Sequence, residues 1–470
     1  MFGLDSGFTI LLILCILCAC AFEFINGFHD TANAVATVIY TNSLKPTYAV
    51  VWSGLMNGIG VFMGVYFGGA VALKIISLLP SEVIMGTNTG EIIAMVMALL
   101  ITAIVWNLGT WYFGIPCSSS HTLIGAILGV GIGYALIHGI DLAHSVKWGK
   151  AQEIGLSLLI SPLIGFSLTI IVMYLFKAFI KDKKFFKEVE PGKKPDIWTR
   201  ITLILTCTGV SYAHGQNDGQ KGIGLMMLVL FGFAPAYFAI NYQLPKNRIQ
   251  HSYVEYQDLR NKIDLNHVNV ADKGVLLAID KDFHSLDSIA GSNPGESVIA
   301  VNSRSDVRVL ILKISKNLEK INKSEAIPIS KEDQKIVKSI TASISEFVNK
   351  CPSFVIVLIS LSLGMGTMIG WKRIVKTIGE KIGKQHLSYA QGASAELVAA
   401  TTIIGATSFG LPVSTTQVLS SGIAGSMVAN KGVKNLQRKT ITTIALAWIL
   451  TLPVTVILAI GFYLLFRTIF

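Results

Sequence analysis

The sequence predicts an all-α polytopic membrane protein built from two related halves, with about 10–12 transmembrane segments. Three observations carry this. Apolar runs long enough to span a bilayer recur along the chain. Two short polar motifs each occur twice inside such runs. The basic residues gather at the ends of the runs rather than within them.

Of the 470 residues, 52% are hydrophobic and 14% charged, and the mean hydropathy is +0.59. That is too apolar for an ordinary soluble domain. The apolar runs cover roughly 7–25, 47–79, 91–113, 154–176, 198–213, 223–240, 353–370, 391–409 and 441–467. A spanning helix needs about 20 such residues. No Lys or Arg precedes the first run, since the first is Lys45, so it reads as a span and not as a cleaved signal.

The net charge of +11 comes from 39 basic and 28 acidic residues. It does not indicate nucleic acid. Lys177, Lys181, Lys183, Lys184 and Lys187 form one cluster beside an apolar run. Lys372, Arg373, Lys376, Lys381 and Lys384 form a second, and Lys431, Lys434, Arg438 and Lys439 a third. This is positive-inside patterning, which places the three clusters in the cytoplasm. The link at 80–90 carries Glu82 and no Lys or Arg, so it is expected outside. Cys15, Cys18, Cys20 and Cys207 lie in apolar runs, Cys117 in a motif and Cys351 at a boundary. They read as packing residues and not as a disulfide framework.

The first motif pair is NGFHDTANA (Asn26 to Ala34) and HGQNDGQKG (His214 to Gly222). The second is GIPCSSSHTLIG (Gly114 to Gly125) and GLPVSTTQVLSSG (Gly410 to Gly422). Asp30 and Asp218 are 188 residues apart, whereas Pro116 and Pro412 are 296 apart; the difference of 108 marks an insertion in the second half. The expected organisation is therefore a first membrane repeat at 1–180, a basic link at 181–196, and the start of a second repeat at 197–240. A soluble insertion follows at 241–350, and the remainder of the second repeat at 351–470. The insertion is polar and mixed in charge. Its stretch from Ser305 to Ile321 has helical periodicity. His251, His267 and His284 are scattered there without metal-ligand spacing. No catalytic constellation is visible, so neither an enzyme nor a resident cofactor is expected.

Duplicated, Gly- and Pro-interrupted polar motifs in two halves of a membrane protein point to a substrate site where the repeats meet. Ionisable groups persist at membrane depth mainly where they line a protein-walled cavity. Asp30 sits among small residues and amides and is suited to hold a proton or a cation. Gly27 and Ala32 are expected to let other backbones approach, Gly27 is also suited to interrupt its helix, and Asn33 offers an amide. Asn217 and Asp218 repeat this core. His29, His121 and His214 are further proton-labile candidates. Lys221 either pairs with Asp218 or another acid, or adds positive charge to an anion site. In the second pair, Gly114-Ile115-Pro116 and Gly410-Leu411-Pro412 stop one segment. Ser118, Ser119 and Ser120, and Ser414, Thr415 and Thr416, begin the next half-helix. Hydroxyl caps and free N–H groups at a helix start attract oxyanions. Carboxylates beside such tips repel the anion until a cation or proton neutralises them, which supplies a physical basis for coupling.

These motifs resemble the inorganic phosphate transporter (PiT) family of secondary carriers. The segments Glu23 to Thr41, Trp106 to Ala126, Ser211 to Leu225, Gly379 to Lys384 and Leu436 to Thr440 are similar to its bacterial low-affinity Pit branch. The resemblance covers the chain except most of 241–350. It implies an inverted-repeat fold with broken helices and re-entrant hairpins, in a bacterial inner membrane. It also implies symport of phosphate with protons, as a neutral divalent metal–hydrogenphosphate complex. A sodium-coupled carrier of phosphate or of another oxyanion, sulfate or arsenate, is the alternative. Asp30, Asn33, Asn217 and Asp218 match the family's ion and phosphate site, and the six Ser and Thr residues match its hairpin tips. The expected partners are phosphate, protons, divalent metal cations, the lipid bilayer and a second copy of the chain; nucleic acid is not among them. Gln417 stands where a second copy of His121 would be expected, so the titrating groups are distributed unevenly between the halves.

Overall fold

The chain is described here from a computed structural model, which covers residues 4–66, 70–76, 78–79, 89–189, 192–263, 268–291, 299–324, 327, 330–349 and 351–470. Glu82 and His267 lie outside these residues. The chain divides into two compact units. One comprises Thr9–Val229 and Pro352–Phe470, the other Leu230–Cys351 with the chain's start up to Phe8. Among the described residues, β-structure is confined to isolated bridges.

The first unit is helical throughout. Up to the point where the chain enters the second unit it runs α1 (Ser6–Tyr40), α2 (Pro46–Tyr66), α3 (Ala70–Ile76), α4 (Thr89–Tyr112), α5 (Ser119–His138), α6 (Trp148–Phe179) and most of α7 (Ile197–Phe233). The second unit contributes α8 (Asn247–Asn261), α9 (Val270–Gly291), α10 (Arg304–Lys323) and α11 (Lys331–Ser345). The chain then returns as α12 (Ser353–Ile369), α13 (Lys372–Lys376), α14 (Tyr389–Ser408), α15 (Thr415–Lys431) and α16 (Arg438–Arg467).

Six helices among the described residues are long and apolar enough to cross a membrane: α1, α2, α4, α5, α6 and α16. A seventh arises if α12 and the arm Lys372–Lys381, bent by 53°, count as one broken span. This is fewer than the sequence runs suggest, and the reason is compositional. Helix α7 carries the second polar motif and α14 carries Glu396, while α15 is hydroxyl-rich and only 17 residues long. A helix buried among other helices need not be apolar all round, because protein rather than lipid covers it.

The two motif-bearing helices differ from expectation. Helix α1 runs unbroken through Gly27 for 35 residues, and α7 runs unbroken through Asn217 and Asp218 for 37. Gly27 does not interrupt its helix. It admits another chain segment: a Cβ there would meet Thr367 N at 2.6 Å and Leu363 O at 2.7 Å. The close approach is sealed by the Thr31 hydroxyl, which donates to Thr367 O at 2.6 Å. Small residues at helix contacts in membranes serve this purpose.

The breaks occur instead at the two tips, and both are built the same way. Gly114 and Gly410 have positive φ of 67° and 64°. At the first, Ile115 N–H donates back to Thr110 O at 2.9 Å; at the second, Leu411 N–H donates to Ala406 O at 2.8 Å. This is the left-handed helix ending that favours glycine. Each hairpin's second helix then packs on the closing helix of the other half, α5 on α16 and α15 on α6.

In the second unit, α8, α9, α10 and α11 each bury one face. Val307, Ile311, Ile314, Leu318 and Ile321 of α10 recur at helical spacing and are all buried, with Phe283, Leu286, Ile340 and Ile344 in the same cluster. Tyr256 stacks on Phe283 with centroids 4.9 Å apart, and donates to Asp280 at 2.6 Å. Burial and the Asp280 carboxylate both raise the Tyr256 hydroxyl's pKa. Arg308 ties the unit shut where the chain enters and leaves it. Its Nη1 donates to Ala239 O at 2.8 Å and to Val348 O at 3.1 Å. Its guanidinium lies 4.0 Å from the Phe231 ring centroid. Burial lowers its pKa to about 10. Asn241 N–H donates to Phe347 O at 2.6 Å across the same neck. Replacing Arg308 by Ala leaves two buried carbonyls without their charged donor, a cost of about 3 kcal/mol. Limited proteolysis of the full-length variant is expected to cut within 241–350 faster than in wild type; unchanged cleavage would contradict this role. His251 sits at the surface, 3.5 Å from Glu255.

Candidate functional site

Both polar motifs and both tips meet inside the first unit. Asp30, Asn33, Asn217, Asp218 and Lys221 are each at most 1% exposed, and Ser120, Thr415 and Thr416 2%. The helices bring them there by register: Asp218 and Lys221 are three apart on α7, and so share a face.

In the second copy of the first motif, Asn217, Asp218 and Lys221 are fully engaged. Lys221 Nζ donates to the Asp218 carboxylate, with which it forms a buried ion pair. It also donates to Ser120 Oγ at 2.5 Å and to Val413 O at 2.9 Å. The remaining Asp218 oxygen accepts from Thr415 Oγ1 at 2.9 Å. Asn217 anchors the second tip: its amide donates to Thr407 Oγ1 at 2.8 Å and to Leu411 O at 3.2 Å. Val413 N–H donates back to Asn217 Oδ1 at 3.4 Å. Val413 O receives a second donor, Ser120 Oγ at 2.9 Å, so the two tips touch directly.

The first copy is not. Asp30 is buried and neither of its carboxylate oxygens has a hydrogen-bond partner. His214 Nε2 is 4.0 Å from Asp30 Oδ1, too long for a hydrogen bond. The Asp218 carboxylate is near enough to share a hydrogen bond with Asp30 once one of the two carries a proton, and Asp218, Lys221 and Glu23 act on Asp30 electrostatically. Asn33 donates to Thr416 Oγ1 at 3.1 Å, while its Oδ1 has no partner.

The hydroxyls divide by task. Ser118 and Ser414 are the N-caps of α5 and α15, accepting from His121 N at 3.2 Å and Gln417 N at 3.3 Å. Their oxygens are occupied by capping. Ser120 and Thr415 serve the Lys221–Asp218 pair, and Thr416 receives Asn33. Ser119 is 7% exposed and makes no side-chain hydrogen bond among the described residues. The N-termini of both hairpin helices thus converge on the buried carboxylates, which is a geometry suited to an oxyanion and an accompanying cation.

The three histidines are dispersed. His214 bonds Val210 O through Nδ1 at 2.8 Å and is the one beside Asp30. His29 Nε2 is 3.0 Å from Asn107 O, and His121 Nδ1 is 2.8 Å from Ser118 Oγ. The latter two are held by their own surroundings.

Sequence reasoning missed two buried carboxylates. Glu23, 0% exposed on α1, takes a hydrogen bond from Asn26 at 3.3 Å and has a free Oε1. Glu396, 0% exposed on α14, takes one from Thr206 Oγ1 at 2.5 Å. The signal was present in both cases: an acidic residue inside an apolar run. Among the described residues, no three His, Cys, Asp or Glu side chains gather as a metal site. An apolar cavity of about 30 Å³, lined by Leu79, Ile92, Met95, Val96, Val130 and Leu225, shares no residue with the polar cluster and offers no donor to an anion.

Residues 26–459 match the phosphate transporter family. The chain is 40% identical to the low-affinity inorganic phosphate transporter PitA of Escherichia coli K12, over 98% of this chain and 97% of that one. It is 29% identical to a probable low-affinity inorganic phosphate transporter of Bacillus subtilis, over 97% of each. A solved structure titled the sodium-dependent phosphate transporter shares the fold, with a TM-score of 0.56 and 19% identity over 98% of this chain and all of that one.

Proposed function

Because the chain belongs to the phosphate transporter family, we propose that this multi-pass membrane protein takes up inorganic phosphate by symport with protons, the phosphate entering as a neutral complex with a divalent metal. It is a carrier and not an enzyme. The observation that carries the reading is the state of Asp30, a buried carboxylate with no partner beside two hydroxyl-bearing helix starts. A buried charge without a counter-ion is costly. Taking up a proton removes that cost and removes the repulsion that an incoming phosphate meets. Asp218 does not pose the same barrier, since Lys221 already offsets it.

In this reading a proton loads first and phosphate docks against the tips. Helix starts supply N–H donors, and Ser119, with the hydroxyls of Ser120, Thr415 and Thr416, supplies the rest. The two halves then rock about the site, and loss of the proton on the inner side expels the anion. The contact between Ser120 and Val413 O joins the tips, so it is the contact that rocking must loosen. The metal travels as cargo on the phosphate.

The test is uptake of labelled phosphate by purified protein in proteoliposomes, with imposed proton or sodium gradients and with or without divalent metal. A proton gradient is expected to drive concentrative uptake, and chelating the metal to reduce it. Uptake driven by sodium and indifferent to the proton gradient overturns the coupling assignment. Preference for sulfate or arsenate over phosphate overturns the substrate.

A further inference from the structure

We propose that Lys221 is a tethered counter-ion that fills, in the second half, the position at which the first half receives a mobile cation or proton, so that the two halves contribute one mobile coupling site and not two. This deepens the transport reading above and rests on it.

With Asp30 set on Asp218, Asn33 falls on Lys221; with Pro116 set on Pro412, Ser120 falls on Thr416. The structure gives these pairs corresponding contacts. Asn33 donates to Thr416 Oγ1, and Lys221 donates to Ser120 Oγ. Each motif therefore reaches across to the other half's tip from the same position. The chemistry at that position differs. In the first half a neutral amide leaves three buried oxygens without partners: Asp30 Oδ1, Asp30 Oδ2 and Asn33 Oδ1. In the second half an ammonium is bound by a carboxylate, a hydroxyl and a backbone carbonyl, from Asp218, Ser120 and Val413. All-oxygen sets of this kind are what hard cations take. The ammonium uses one of its protons on each oxygen, and its charge cancels that of Asp218. No further cation is needed there, and none can enter without displacing Nζ.

Shortening Lys221 to Asn should therefore restore to the second half the amide that the first half has, and with it a response to an added monovalent cation. Sodium is the probe and choline the control. Wild type, K221N and K221N/D218N are compared as full-length proteins, by thermal unfolding in detergent and by phosphate uptake in proteoliposomes, at equal ionic strength. K221N is expected to gain a saturable rise in unfolding midpoint and a several-fold rise in uptake with sodium, beyond any response of wild type. Removing Asp218 as well should abolish the gain. K221Q serves the same purpose if K221N is poorly made.

A folded K221N whose sodium response is no larger than that of wild type overturns the proposal and makes Lys221 a phosphate-facing charge. So does a failure of both variants to fold in sodium, because a cation able to take the ammonium's place would sustain the fold. The readout is a difference from wild type. It is thus separate from the proton assignment, which wild-type uptake under imposed gradients decides alone.

Discussion

Asp30→Asn is expected to lose concentrative phosphate uptake while retaining its fold and retaining phosphate exchange between two loaded compartments. Both expectations follow from the same fact. The Asp30 carboxylate accepts no hydrogen bond and is 1% exposed, so an amide in its place strands no donor. An amide of equal shape carries no desolvation burden of that size. The variant is thus fixed in the neutral form that admits phosphate, and can pass it in either direction without moving a proton. Accumulation under an imposed proton gradient checks the lost uptake, and counterflow of labelled phosphate the retained exchange. Accumulation at the wild-type level would remove Asp30 from the coupling step.

Asp218→Asn should behave differently, although the residue is the same in the aligned motif. Lys221 would keep its charge and lose its counter-ion inside the protein. Breaking a buried pair by removing one partner costs about 3–5 kcal/mol. A lower unfolding midpoint and poor yield are expected together with lost transport. Asp218→Asn combined with Lys221→Met should recover stability without recovering uptake. If Asp218→Asn alone unfolds at the wild-type midpoint, the carboxylate is not what holds the Lys221 ammonium.

This contrast shows where the sequence could be read and where it could not. The tips were legible, because their rules are local. A glycine in left-handed conformation, a proline two residues on and a hydroxyl cap follow one another within five residues at Gly114 to Ser118 and at Gly410 to Ser414. The helical periodicity of Ser305 to Ile321 was legible for the same reason. At Gly27 the close approach was legible but its helix was not, because a glycine that breaks a helix and a glycine that only lets another segment approach look alike in sequence. The approaching atoms belong to Leu363 and Thr367, far along the chain. The partition of hydroxyls was also hidden. Nothing local says that Ser118 caps α5 while Ser120 receives Lys221, whose position lies 101 residues later. Glu23 and Glu396 were visible as charges in apolar sequence, but their surroundings come from tertiary packing. The inequality of Asn33 and Lys221 could be read from the alignment; its physical meaning required the contacts.

The neck of the second unit has a consequence for how this chain tolerates change. Asn241 and Phe347 are joined by a backbone hydrogen bond, and Arg308 holds Ala239 and Val348 together beside it. To the chain on either side, the whole excursion from 241 to 347 is equivalent to a tight turn. The entropy of closing a loop depends on the distance between its ends and only weakly on what lies within. Such a neck is a natural graft point: with Arg308 kept, the segment beyond it can carry a fused reporter with little strain at the chain ends it joins.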